Sequence, residues 1–409
     1  MALTPFVSVN ICISESPRES ANTGNTIPIA HALVDKLHDE PDYQQFLRAI
    51  GAEPDAFERV TILSELQGAA PPVGLPMLND IIGVLTVAAP TEDSIDVIRR
   101  IVADAAPSGT RFLHSVPCGI PETKFGSRSG SRHTGGLKTG AVEIIPGGVK
   151  RILAPTVWAT GNQGATVRVA IVDTGVGPHD DLPHPTLSQS LVPGMADCRD
   201  HHGHGTYVAG IVLARRNKFD VVGVAPEAEL CIAKAMSRDQ CEDQWITNAI
   251  TWAASNHVRV VNVSLVADAY SEPIARAAAH AVAMGCIVCA AAGNTYEGAV
   301  LWPAADANCI AVGASTLQDD FCQISAVGPE LDFYAPGCGI ESTALGGGTI
   351  SEDGTSASAP HVAGVVTLML AADSSLSVAA LRDRLNKTAV PLNFVKTIGR
   401  VSAEAALIP

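Results

Sequence analysis

A chain of 409 residues, 47% hydrophobic and only 17% charged, is long enough for two domains and a sizeable core. Its formal net charge of −15 has the wrong sign for a nucleic-acid partner, and no apolar run is long enough to cross a bilayer, so no membrane partner is expected. Met1 to Val7 lacks the basic region of an export signal, so a cytoplasmic protein is expected, with Cys231, Cys286 and Cys289, which lie in apolar strand-like runs, as reduced thiols.

In chain order, the first 123 residues read as strand, helix, strand, strand, helix, strand. The segments are Phe6–Ile13, Ile29–Ile50 with a break at Pro41, Phe57–Leu63, Ile82–Ala88, Ser94–Ala105 and Thr110–Val116. That order is the split βαβ arrangement of a small α+β, ferredoxin-like domain. Lys124 to Gly140 is rich in glycine, serine and basic residues and nearly free of core residues, which predicts a flexible linker between domains 1–123 and 141–409.

After the linker, strand signals near Val167, Leu230, Val260, Ile287 and Ile310 alternate with helix signals near His204, Gln244, Glu272 and Ser356. Alternation of this kind predicts an α/β domain with a largely parallel sheet and helices on both faces. Val167 to Val172 is an apolar, β-branched run ended by Asp173 and Gly175, so Asp173 is expected at the carboxyl end of a buried strand, where α/β sheets place ligands. His204 follows a glycine-containing loop at a helix start. Ser356 falls in the first turn of the apolar helix Gly354–Leu370, where unpaired amides and the macrodipole favour a developing oxyanion, and Pro360 is read as belonging to an early turn.

A serine hydroxyl is a weak nucleophile at neutral pH. It needs an imidazole to take its proton and a buried carboxylate to hold that imidazole in the right tautomer. Asp173, His204 and Ser356 are those three residue types. Asp173-Thr174-Gly175 is equally the signature of aspartic proteases, which need two such carboxylates, and this chain supplies one unless it dimerises. Cys198, His201 and His202 crowd the loop before His204 and form a zinc-type cluster, but a solvated loop is favoured because the adjacent triad requires His204 unligated.

With these segments go Gly203-His204-Gly205-Thr206-Tyr207-Val208-Ala209-Gly210, Gly223-Val224-Ala225-Pro226, Val261-Asn262-Val263-Ser264-Leu265, Ala290-Ala291-Ala292-Gly293-Asn294 and Gly354-Thr355-Ser356-Ala357-Ser358-Ala359-Pro360-His361. From about Val142 to Ala372 the chain resembles the subtilisin-like serine proteases, the subtilase family. The resemblance implies a serine endopeptidase acting on protein or peptide substrates, with no cofactor for catalysis. Asp173 is then the orienting carboxylate, His204 the general base and Ser356 the nucleophile, with Asn294 at the oxyanion. Ser264, Leu265, Val266, Ala291, Ala292 and Gly293 would bind substrate.

The resemblance also makes the first domain a pro-domain, an intramolecular inhibitor removed by self-processing close to Val142. A structural calcium is expected on Glu143, Asp181 and Asn217. Val266 and Ala267 stand where the family usually has glycines, which predicts a narrower substrate channel, while Ala357 and Tyr207 replace a common methionine and histidine. A second reading is a catalytically weak subtilase-fold binding protein whose amino-terminal domain is a permanent binding module.

Overall fold

A computed structural model describes residues 7–13, 26–38, 60–63, 66, 69–70, 76–79, 84–89, 92–105, 110–116, 118–120, 143–238 and 240–407. The linker read over Lys124 to Gly140 lies outside the described residues, as does the part of the first helix expected beyond His38.

The amino-terminal unit is built from β1 (Val7–Cys12), α1 (Thr26–His38), β2 (Thr61–Ile62), β3 (Met77–Asn79), β4 (Val84–Ala89), α2 (Glu92–Ala105) and β5 (Arg111–His114). The strands form one sheet in the order β2-β3-β4-β1-β5, with β1 antiparallel to both neighbours. Of the strand expected over Phe57–Leu63, the described residues hold the two-residue edge strand β2, and β3, which carries more of the pairing, was not anticipated because three residues hold too little alternation to read. Strand alternation sorts the two faces. Val9, Ile11, Leu78, Leu85 and Val87 pack with Leu33, Val34, Leu37, Ile95, Ile98 and Val102 of the two helices, while Ser8, Asn10, Cys12, Met77, Asn79, Val84 and Thr86 have the opposite parity.

That opposite face meets the second domain. After β6 (Cys118–Gly119), the chain continues through α3 (Gly147–Arg151), α4 (Ala154–Trp158), β7 (Arg168–Asp173), β8 (Leu187–Ser190), α5 (His204–Leu213), β9 (Glu229–Lys234) and α6 (Asp243–Ser255). It goes on with β10 (Val260–Val263), β11 (Val266–Ala267), α7 (Glu272–Ala283), β12 (Ile287–Ala291), β13 (Cys309–Ser315) and β14 (Phe333–Pro336). Last come β15 (Ile340–Thr343), β16 (Thr349–Glu352), α8 (Thr355–Ala372), α9 (Val378–Thr388), β17 (Val390–Pro391), β18 (Gly399–Arg400) and α10 (Ala403–Leu407).

Nine strands form the central sheet in the order β17-β18-β14-β13-β12-β10-β7-β9-β8, parallel except at the β17–β18 pair. It is buried on both faces, which is why its strands read as near-continuous apolar runs. Val169, Ile171, Ile287, Cys289, Ile310 and Val312 face one core with α5 and α8; Ala170, Val172, Val288, Ala290, Cys309 and Ala311 face the other with α6 and α7. α8 is 18 residues of apolar sequence, but 89% of it is buried, so its composition is that of a core helix.

The amino-terminal unit meets the rest of the chain through α6 and α7. Asn10 Nδ2 donates to Asp243 Oδ1 at 3.3 Å, Ser115 Oγ to the same oxygen at 2.8 Å, and Asn79 Nδ2 to Asn248 Oδ1 at 3.0 Å. Arg111 pairs with Glu272, and Met77, Val84 and Cys12 join the apolar core of the second domain.

In α8, His361 is fully buried, its Nδ1–H donating to Ala357 O at 2.8 Å, while Nε2 has no hydrogen-bond partner among the described residues. A Cβ on Gly148 would stand 2.3 Å from Nε2, so only glycine lets α3 lie against the ring. Burial pushes the His361 pKa from an ordinary 6.5 down to about 4. The unfolded chain therefore binds this proton more readily, and the stability held by neutral His361 is complete above about 6.5 and lost as pH falls toward 4. The shift is worth about 3 kcal/mol. Denaturant titrations at pH 7 and pH 4.5 should show His361→Leu losing less stability on acidification than the parent; equal losses would mean that His361 does not titrate in this way.

Candidate active site

The three segments singled out in the sequence meet at one end of the central sheet. β7 ends in Asp173, which is fully buried, and the turn after it needs Gly175, whose φ is 98°. His204 opens α5, with its Nδ1 2.8 Å from Asp173 Oδ1 and 3.0 Å from Oδ2. Burial works against the imidazolium, but the adjacent Asp173 carboxylate outweighs it and holds the His204 pKa above its usual value. His204 Nε2 has no hydrogen-bond partner among the described residues.

Asp200 is a residue that sequence reasoning missed. It is buried and accepts at Oδ1 from Thr174 Oγ1 (2.9 Å), His202 N (2.8 Å) and Gly203 N (2.8 Å), and at Oδ2 from Thr206 N (2.9 Å) and Thr206 Oγ1 (2.6 Å). Burial opposes its charge, and the bonds from Gly203, Thr206 and His202 override that and keep its pKa below the usual carboxylate range. Thr174 Oγ1 in turn accepts from Gly205 N at 2.9 Å, so one acid ties the loop before His204 to the turn after Asp173. The available signal was an acidic residue just ahead of a helix start. Cys198, His201 and His202 do not assemble into a metal-type cluster among the described residues.

Ser356 is the second residue of α8, a helix packed against β10, β12 and β13. Pro360 lies in the helix interior rather than its early turn. Its missing N–H leaves Ser356 O without the usual i+4 donor, and Ser264 Oγ donates to that oxygen instead, at 3.0 Å, while accepting from Asn262 Nδ2 at 3.0 Å. Ser264 thus supports the backbone of Ser356.

Asn294 Oδ1 accepts from Thr355 N at 2.9 Å and Thr355 Oγ1 at 3.0 Å, which fixes the amide so that Nδ2 turns the other way. A Cβ added to Gly354 would stand 3.0 Å from Ser356 Oγ, 3.2 Å from Asn294 Nδ2 and 3.7 Å from Ser356 N. The side chains of Asn294 and Ser356 and the Ser356 amide therefore converge on the space that glycine leaves open.

The edge expected to bind substrate is occupied in this structure by the amino-terminal unit. Val266 pairs with Gly119 and Ala267 with Cys118, antiparallel, and Ala267 also exchanges backbone hydrogen bonds with Trp302 at 2.7 and 3.1 Å. Ala291 ends β12, and Ala292 O accepts from Leu301 N at 2.8 Å. A Cβ on Gly293 would be 2.8 Å from Leu301 Cγ, so Leu301, also missed in the sequence, covers the Gly293 side of this edge.

The family model described as the subtilase family matches residues 164–403. The chain belongs to the subtilase family. It is 38% identical to alkaline elastase YaB of Bacillus sp. (strain YaB) over 268 residues, covering 65% of this chain and 71% of that protein. It is 37% identical to subtilisin Savinase of Lederbergia lenta over 267 residues, covering 64% of this chain and 99% of the relative. Subtilisin E of Bacillus subtilis (strain 168) is 38% identical over 276 residues, with 64% and 71% covered. This subtilase is a serine endopeptidase that acts on protein or peptide substrates and needs no cofactor for catalysis.

The relatives correct the cytoplasmic expectation. As subtilisins and an alkaline elastase they point to an extracellular protein rather than a cytoplasmic one, and the composition of Met1 to Val7, on which that expectation rests, identifies no compartment. Cys231, Cys286 and Cys289 are free, as are five other cysteines, while Cys322 and Cys338 are disulfide-bonded. Their 16-residue separation across two loops left no pattern to read in the sequence.

Proposed function

We propose that this subtilase hydrolyses peptide bonds through an acyl-enzyme on Ser356. His204 takes the serine proton at Nε2 and returns it to the leaving amine, Asp173 holds the Nδ1–H tautomer, and Asn294 with the Ser356 amide receives the oxyanion charge. The convergence of Ser356 Oγ, Asn294 Nδ2 and Ser356 N beside Gly354 carries this reading. That His204 Nε2 has no partner among the described residues is in keeping with it, since catalytic hydrogen bonds tighten in the substrate complex. A fluorophosphonate should label Ser356 in the reduced, processed protein and leave the Ser356→Ala variant unlabelled. Failure to label would return the chain to the reading of a subtilase-fold binding protein.

The domain boundaries at about 123 and 141 belong to the same proposal, with residues 1–123 as an intramolecular inhibitor made in one precursor with the enzyme. Its support is the seating of Cys118–Gly119 on β11, where an extended substrate would add as a strand.

Calcium is proposed as a structural ion beside β7. Asp181 is fully buried, and its carboxylate accepts from Asn217 Nδ2 at 3.1 Å and Val221 N at 2.9 Å, while Glu143 accepts from Lys218 N at 2.6 Å. Oxygens of Asp181 and Asp220 lie within 4.8 Å of each other and of a His179 nitrogen. Both His179 nitrogens are engaged, Nδ1 by Asp181 N and Nε2 by Gly348 O, so the donors left over are oxygens, which suits a hard cation. Burial raises the Asp181 pKa, a cost that a bound cation would relieve. A chelator should lower the melting temperature of the parent and not that of Asp181→Asn; equal shifts would count against the site.

Specificity follows from Val266, Ala267 and Leu301. Leu301 beside Gly293, together with Val266 and Ala267 on β11, should favour small residues before the scissile bond, with kcat/KM for alanine over phenylalanine higher by about tenfold or more. Leu301→Ala should narrow that ratio. A peptide library in which phenylalanine or tyrosine is preferred by the parent would remove the steric argument.

A further inference from the structure

Cys118 N donates to Cys241 O at 3.1 Å, and Asp243 N donates to Val116 O at 3.1 Å. That reciprocal pattern is an antiparallel register in which Cys118 lies directly across from Cys241, one on the amino-terminal unit and the other on the loop leading into α6. Cα atoms of such a pair are about 5.5 Å apart with side chains on the same face, within the range of about 4.4–6.8 Å that a disulfide spans. The thiols are placed alike: Cys118 Sγ donates to Val116 O at 3.3 Å and Cys241 Sγ to Ala235 O at 3.3 Å, and both pack in the core beneath α6 and α7. Cys118 is also in β6, paired to Ala267 on the substrate-binding edge.

We propose that Cys118 and Cys241 form a redox latch, a disulfide that holds the Cys118–Gly119 segment in the substrate channel after the chain is cut in the linker. The inference rests on the inhibitor reading of the first domain. The oxidant is a low-molecular-weight disulfide, RSSR. A thiolate from one cysteine attacks it, the RS–SR bond breaks and one RSH departs; the second thiolate attacks the mixed disulfide at the protein sulfur and releases a second RSH. Two protein sulfurs are oxidised, two oxidant sulfurs are reduced, and both thiol protons leave on RSH. The Cys241 thiol beside it, and then burial, push Cys118 far above the usual thiol range, so oxidation should quicken toward alkaline pH. Linker cleavage alone then does not activate the enzyme. A reductant must also open the latch.

The test uses the full chain, oxidised with glutathione disulfide, cut in the linker, and assayed on a chromogenic peptide with and without a phosphine reductant. Peptide mapping should find Cys118 linked to Cys241, and reductant should raise activity by about tenfold or more, since a tethered inhibitor rebinds at high effective concentration. Cys118→Ser and Cys241→Ser should each be active after cleavage without reductant, and the pair guards against one variant misfolding. If no cross-link forms and both variants behave as the parent, the latch is wrong while the inhibitor reading stands. If the cross-link forms but oxidised and reduced protein are equally active, both fall.

Discussion

Asp173→Asn is expected to lower kcat/KM by about four orders of magnitude, a size borrowed from subtilisin itself and from its unrelated counterpart among the serine proteases. Asp173 accepts from His204 Nδ1 through both carboxylate oxygens. Asparagine can present its NH₂ group to the ring, which moves the imidazole proton to Nε2, the nitrogen that must accept from Ser356. The nucleophile then faces a donor. Because Asp173 is fully buried and β7 is well paired, the isosteric change should leave the fold intact, which circular dichroism and an unchanged melting profile would check. The variant should also lose the raised His204 pKa that Asp173 sustains, shifting its residual pH–rate profile to lower pH. A rate within tenfold of the parent would mean that Asp173 does not orient His204.

Asn294→Ala is expected to cost about two to three orders of magnitude in kcat with KM little changed, again the scale known from subtilisin. The Asn294 amide is turned by its bonds to Thr355, so Nδ2 addresses the flank of Gly354, where the proposed oxyanion would gather charge. A loss confined to kcat is the mark of an interaction made in the transition state. If KM rises while kcat holds, Asn294 binds the ground state, and the oxyanion must be met elsewhere. The Thr355 bonds are lost too, so a parallel Thr355→Val variant separates misplacement of α8 from loss of the donor.

Much of the site was legible because its requirements are local. A strand ended by an acid and a glycine, a histidine opening a helix and a serine in a first helical turn each carry their own backbone geometry, and the structure has Asp173, His204 and Ser356 in those places. Asp200 was not legible, since its five hydrogen bonds reach residues as far apart as Thr174 and Thr206. Leu301 was hidden for a similar reason: it reads as one more apolar residue until the chain returns it to Gly293.

The parallel sheet and its two apolar faces were determined by the sequence itself, because burial on both sides writes continuous β-branched runs that need no partner to be recognised. The family was likewise written in contiguous blocks. What only the tertiary structure decided are relations between distant segments: Ser264 replacing the bond that Pro360 removes from Ser356, the Cys322–Cys338 bridge, and Cys118 set across from Cys241. Each depends on where two stretches of chain meet in space, and a hydroxyl, a thiol or a proline carries no periodic pattern that names its partner.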